Sequence, residues 1–166
     1  MLTVSLLDKL LNRLLAQRLA FEWAFQQIAR APGPVFELGM GKGRTFSHLK
    51  LHLPERQIFV FDRDFSTARG EAPARSEQVQ GSIEETLPGM AERFCGQVIL
   101  ANSDVGERDK AHNRFMARTV SGSLPKAMAP GGIVLSDLDL TMPGFAEVPL
   151  PQGAPPNAYH IYQRVS

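Results

Sequence analysis

The chain has one cysteine, Cys95, in 166 residues. A lone thiol excludes an intramolecular disulfide framework and a cysteine-rich zinc site. The apolar neighbours of Cys95 lead us to expect a small buried hydrophobe there. Long apolar runs are also missing. Nothing approaches the roughly 18 consecutive apolar residues of a membrane span, and Asp8, Lys9 and Arg13 interrupt the apolar start. Neither a signal peptide nor a membrane partner is therefore expected, and the protein reads as cytoplasmic. Charge of either sign is scarcely in excess, at net +1, so the overall charge carries no footprint of tight nucleic-acid binding and leaves only a local basic face open, and no nucleic-acid partner is expected. Metal-ligand spacing is thin. His48 and His52 lie one helical turn apart without further ligands, and Asp137 with Asp139 is a weak pair, so no metal is expected. No internal repeat or low-complexity segment occurs. With 43% hydrophobic and 21% charged residues, the composition is that of an ordinary globular domain, and the length suits one domain over residues 1–166.

What is present is a rhythm of helices and short apolar runs. Ser5-Leu6-Leu7-Asp8 resembles a capping box. A long helical pattern follows to Pro32-Gly33-Pro34, with Leu7, Leu10, Leu11 and Leu14 on one face, widened by Leu6 and Leu15. Its length predicts a break near Gln17 to Ala20. Residues 1–31 are expected to pack on the sheet, or to act as a lid or a subunit interface, because the leucine face is wider than one sheet contact needs. Residues 35–166 form the remaining core.

Strands are expected at the apolar runs near Val35, Gln57–Phe61 and Gln97–Ala101 and at Ile133–Ser136, with a weak one at Gln78–Gln80. Pro130-Gly131-Gly132 reads as a tight turn into the strand that ends at Ser136. Helical patterns lie between the strands. One follows the glycine loop through Phe46, Leu49 and Leu53 and ends at Pro54. A short one spans Phe65 to Arg69. One is interrupted by Pro88-Gly89. One runs from Glu107 to about Ser121 with Phe115, Met116 and Val120 inward, before a short helix at Leu124–Met128. Residues 145–149 and 158–165 read as an antiparallel pair. This order predicts an α/β fold: a three-layer, doubly wound, mainly parallel sheet with a terminal antiparallel strand pair and an N-terminal helical segment. Ligands of such sheets bind outside the carboxyl ends of the strands.

The stretch Val35-Phe36-Glu37-Leu38-Gly39-Met40-Gly41-Lys42-Gly43-Arg44-Thr45 lies at such an end. Its glycines allow close backbone approach, and the loop leads into a helix N-terminus whose N–H groups face a ligand. The spacing is G-x-G-x-G, not the G-x-G-x-x-G of pyrophosphate binding, and the lysine–serine/threonine ending of an ATP phosphate loop is absent. Glu37 would repel a pyrophosphate but suits a cofactor with positive charge. Asp62, at the end of the next strand, is placed to accept hydrogen bonds from ribose hydroxyls. Asp64 is the better helix-cap candidate.

These residues resemble the class I S-adenosylmethionine-dependent methyltransferases. Glu37 to Gly43 matches the family's acid-x-G-x-G-x-G signature, and Asp62 matches its ribose acid. Gly81-Ser82-Ile83 stands where the family often has Gly-Asp-Ala, with Ser82 replacing the acid. Ala129-Pro130-Gly131-Gly132 resembles the turn that leads into the fifth strand. The resemblance implies S-adenosyl-L-methionine as cofactor, held by Glu37, Gly39, Met40, Gly41, Gly43, Thr45, Asp62, Arg63, Ser82, Ile83 and Asn102. It also implies transfer of a methyl group, largely by alignment of an acceptor.

The acceptor side is less legible. Asn102-Ser103-Asp104 departs from the Asn/Asp-Pro-Pro-Tyr/Phe pattern of methylases acting on DNA bases and glutamines, so a small-molecule acceptor is expected. Asp104, His112 and Asp139 are the candidate catalytic residues. Asp104 reads equally as the cap of the next helix. There is little room between Ser136 and Val148 for a fifth crossover helix, which favours self-association, as a dimer. Two other readings stand beside this one. The first is a protein that binds S-adenosylmethionine without turnover. The second, disfavoured by the glycine spacing and Glu37, is a nicotinamide-dependent oxidoreductase.

Overall fold

The computed structural model describes residues 4–66 and 68–166. Seven strands form one sheet: β1 (Val35–Leu38), β2 (Ile58–Asp62), β3 (Gln78–Gln80), β4 (Val98–Ser103), β5 (Met128–Ser136), β6 (Phe145–Val148) and β7 (His160–Arg164). Their order across the sheet is β3-β2-β1-β4-β5-β7-β6. The first five are parallel to one another, and β7 runs antiparallel to both β5 and β6. Strand order reverses between β1 and β4, which opens a crevice at their carboxyl ends.

Period-two alternation builds the two faces. Val35, Ile58, Val60, Leu100, Ile133 and Ile161 pack against α1 (Leu6–Ile28) and α2 (Arg44–His52). Phe36, Leu38, Phe59, Phe61, Ala101 and Val134 pack against α3 (Ile83–Arg93) and α4 (Lys110–Ala127). The result is the expected three-layer sheet with its terminal antiparallel pair, and residues 137–144 hold no crossover helix. No described helix is long and apolar enough to cross a membrane.

Several local expectations are corrected. The N-terminal helix is unbroken. The residues where a break was expected, Gln17 and Ala20 together with Ala16, are buried, and two alanines let the helix lie close to the sheet. Its sheet-facing side is Ala16, Gln17, Ala20, Phe21, Ala24 and Ile28, whereas Leu6, Leu7, Leu10, Leu11 and Leu15 are exposed. Ser5 caps it as expected, accepting from the Asp8 N–H at 3.0 Å and donating to the Asp8 carboxylate at 2.6 Å. Pro88 sits inside one continuous α3, and α4 runs without interruption to Ala127 past Pro125. The cap of α4 is Asp109, which accepts from the Ala111 N–H at 2.8 Å, rather than Asp104.

Phe115 is exposed; the inward stripe is Met116, Val120, Leu124 and Ala127. Cys95 is exposed as well, because it lies in the turn between α3 and β4 rather than in an element. Phe65, Ser66, Ala68 and Arg69 are not helical, and Thr67, the remaining residue of that expected helix, lies outside the described residues. Pro130 to Gly132 belong to β5, where the register against β4 shifts between Val98 and Leu100.

Candidate active site

The parallel register of β1 and β4 places Glu37 directly beside Asn102, both buried on the α1/α2 face. Asn102 donates to the two Glu37 oxygens at 3.1 and 3.2 Å, and the Thr45 hydroxyl at the start of α2 donates to one of them. Burial pushes the Glu37 carboxyl up to about 8, against the pull of the Thr45 and Asn102 hydrogen bonds. No described cation pairs with it.

The hydrogen bonds continue from Asn102. Its side-chain oxygen accepts from the Tyr159 hydroxyl at 2.7 Å, and that hydroxyl accepts from Gln17 at 3.1 Å. The Gln17 amide also reaches Asp104 at 3.2 Å, and Asp104 is bound by the Arg13 guanidinium at 2.8 Å. A chain of polar side chains thus connects the acid of the glycine loop to the N-terminal helix. Gln17, Tyr159 and Arg13 were not singled out in the sequence. The readable signal was Gln17, a polar residue within the buried face of α1.

The glycine loop is held by Asp62. One of its oxygens accepts from the Met40 and Gly41 N–H groups at 2.8 and 3.3 Å, and the other from the Asp64 N–H at 3.0 Å. Asp64 forms a local turn with Ser66 instead of capping a helix. Gly39 has φ of 90°, and a Cβ there would lie 2.8 Å from the Asp104 carbonyl oxygen. Gly43 stands at the N-cap of α2 with φ of 83°. Both conformations favour glycine.

Next to this loop is an open cleft of about 260 Å³. Gly39, Gly41, Asp62, Arg63 and Ile83 line it together with Asp104 and His112. Of the other expected residues, Glu37, Met40 and Asn102 are buried, and Thr45 bonds to Glu37. The Ser82 hydroxyl donates to Glu85 at 2.8 Å. Asp139 is not brought to the cleft. The chain turns to the α3/α4 face after β5, where Asp139 accepts from the Tyr162 hydroxyl at 3.1 Å and lines a separate depression beside Arg118.

Asp137 is the better-placed acid of that segment. Its carboxylate accepts from the Val105 and Gly106 N–H groups at 3.2 and 2.8 Å and so shapes the cleft wall. Burial, then the neighbouring Asp104, pushes Asp137 up to about 6. Glu84, Glu107 and Met116 also line the cleft and had no distinctive sequence signal. Among the described residues no group of three or more His, Cys, Asp or Glu side chains could hold a metal ion.

A doubly wound sheet with this strand order, an acid-preceded glycine loop at its switch point and a second acid after β2 defines a nucleoside-cofactor-binding α/β domain of the class I methyltransferase type. Residues 4–164 match the model of the family described as S-adenosyl-L-methionine methyltransferase, and the chain belongs to that family. It is similar over 97% of its length to the crystal structure of an S-adenosyl-L-methionine methyl transferase from Silicibacter pomeroyi DSS-3, covering 99% of that chain at 37% identity and a TM-score of 0.91. More distant structures share the fold. MycE methyltransferase of the mycinamycin biosynthetic pathway, solved with Mg, SAH and mycinamycin VI, is 21% identical, with 76% of this chain and 34% of that chain covered at a TM-score of 0.52. The 16S rRNA (adenine(1408)-N(1))-methyltransferase of Catenulisporales acidiphilia, solved with SAM, is 14% identical, with 89% and 92% covered at a TM-score of 0.51. No curated protein sequence matches the chain.

The protein is therefore an S-adenosylmethionine-dependent methyltransferase. The residues present suit that cofactor. A buried acid without a described cationic partner suits a ligand of positive charge, and Gly39 and Gly41 bring the backbone of the loop to the cleft.

Proposed function

We propose that the protein transfers the cofactor's methyl group to a small-molecule acceptor that enters the cleft beside Asp104. The observation that carries this reading is the charge of the cleft. Asp62, Glu84, Asp104 and Glu107 line it, against Arg63 and His112. A wall of that sign disfavours a nucleic-acid backbone, whose binding depends on neutralising phosphates with lysine and arginine.

Glu37 and Asn102 would hold the methionine end, Asp62 the ribose hydroxyls, and Gly39, Gly41, Arg63 and Ile83 the rest of the nucleoside. S-adenosylmethionine supplies a methyl group on a sulfonium, activated for in-line displacement. The chain's part is to align the acceptor and exclude water. Asp62 keeps one acceptor position for a hydroxyl after accepting its three N–H bonds, since a carboxylate has about four. Asp104 and His112, both at the cleft wall, would be the groups to take a proton from an oxygen or nitrogen acceptor.

The protein incubated with methyl-labelled cofactor and separate pools of metabolites, RNA and protein tests this. Label in a low-molecular-weight product is the expected result, and label confined to RNA or protein would overturn the acceptor class. A second reading, cofactor binding without turnover, draws on the hold of Arg13 and Gln17 on Asp104. Tight binding with no labelled product from any pool would favour it.

A further inference from the structure

The first turns of α1 run past the body on which the rest of the helix packs. Residues 4–11 are all exposed, while Ala16, Gln17, Ala20 and Phe21 are buried. Arg13 and Gln17 bond Asp104 just beyond the carboxyl end of β4, and the other end of α1 leads into β1. The overhang therefore stands at the sheet edge that carries the cleft. It is apolar: Leu6, Leu7 and Leu11 are 76%, 74% and 61% exposed. Leu10 and Leu15 are exposed too. Leu51, exposed on α2, shares with Leu14 the groove between the two helices and extends the patch. This gathers on the order of 500 Å² of apolar surface, the size of the largest patch on a typical monomer, which is often functional. Projecting helical turns are also marginal in water unless something packs on them.

We propose that this patch is a homodimer interface in which α1 pairs antiparallel with α1 of a second copy. The sequence of residues 6–15, Leu-Leu-Asp-Lys-Leu-Leu-Asn-Arg-Leu-Leu, has the same order of apolar and polar positions from either end. A two-fold axis between Leu10 and Leu11 lays leucine on leucine along the pair. It sets Asp8 against the partner subunit's Arg13, with the partner subunit's Lys9 one turn away. A two-fold contact requires that self-complementarity, and a lipid surface or an unrelated protein does not. Arg13 keeps N–H donors after its bond to Asp104. Pairing would press α1 down on Asp104 and steady the wall of the cleft.

Sedimentation equilibrium on the full chain at micromolar concentration reads the result. Twice the chain mass is expected for the wild type, and the chain mass for the double variant Leu7→Glu/Leu11→Glu. Circular dichroism and retained cofactor binding report that the variant is folded. In a Cys95→Ser background, Leu11→Cys lies close to the two-fold axis and is expected to cross-link between subunits under mild oxidation. A monomeric wild type, a dimer unmoved by the two glutamates, or a monomer that instead binds phosphatidylcholine–phosphatidylserine vesicles would each overturn the proposal. Should the double variant not fold, absence of the Leu11→Cys cross-link overturns it as well. Because cofactor binding is read separately, loss of the dimer and loss of the methyltransferase reading are distinguishable.

Discussion

Glu37 combines complete burial with a carboxyl group that has two hydrogen-bonding partners and no described cation. Its folded-state value of about 8 stands above the ordinary carboxylate range, because burial disfavours the charge. The native state therefore holds a proton that the unfolded chain has lost across the window from about 4.5 to about 8. Stability of the ligand-free protein should fall as pH rises through that window. Glu37→Gln should flatten the decline, as read by thermal melts at several pH values, and should weaken cofactor binding. A positive charge beside Glu37 favours its ionised form, so cofactor binding at neutral pH should release protons. Calorimetry in buffers of different ionisation enthalpy would register the release, and a buffer-independent heat would contradict it.

Asp62 and Asp64 separate in the same way. Asp62 holds the loop N–H groups of Met40 and Gly41, whereas Asp64 serves only the turn at Ser66. Asp62→Ala should cost tenfold or more in cofactor affinity, of order 1.4 kcal/mol, and Asp64→Ala much less. Equal losses by titration calorimetry would remove Asp62 from its proposed role. Glu37 and Asp62 were legible because their chemistry is tied to glycine spacing and strand ends. Gln17 and Tyr159 were not, because their meaning lies in partners 142 positions apart in the chain.

At the scale of elements, α1 is held to the sheet by two different means. Ala16, Ala20, Phe21, Ala24 and Ile28 supply apolar contact, and the Gln17–Tyr159–Asn102 hydrogen bonds fix its position over β4. Arg56 secures the far end, donating to the carbonyls of Ile28, Ala31 and Gly33 at 2.8, 2.7 and 2.9 Å. Tyr159→Phe removes the central hydroxyl and leaves the buried Asn102 oxygen without its donor. A loss of about 1–3 kcal/mol is expected in urea unfolding. Cofactor affinity should fall too, since Asn102 would no longer be fixed beside Glu37. The helical and strand periods were readable in sequence, but helix boundaries were not. Pro88 and Pro125 are tolerated inside helices by tertiary packing, where local preference alone predicts an interruption.

For the whole molecule, the strand order reverses at β1 and β4, so a single edge collects Asp62, Asp104 and His112 from separate segments, with Glu37 buried on β1 beside Asn102. The cleft's acidic wall yields a further expectation. Added RNA should neither accept label nor compete with cofactor, and inhibition by RNA at moderate salt would argue for a larger acceptor. The short connection from β5 to β6 leaves that edge without a crossover helix, as its length foretold. Residues 1–31 were open in the sequence between sheet packing, a lid and a subunit interface; the structure buries one face of α1 on the sheet and leaves the leucines of its first turns exposed, which is the surface proposed for self-association.

The sequence by itself determined the layer order, the glycine loop and its two acids, because strand period, helix period and backbone permissiveness are local properties. Only the tertiary structure decided which face of α1 is buried, that Cys95 and Phe115 face solvent, and that Asp137 rather than Asp139 shapes the cleft. Those outcomes depend on where neighbouring elements leave space. That is a property of packing between distant segments, and no spacing along the chain encodes it.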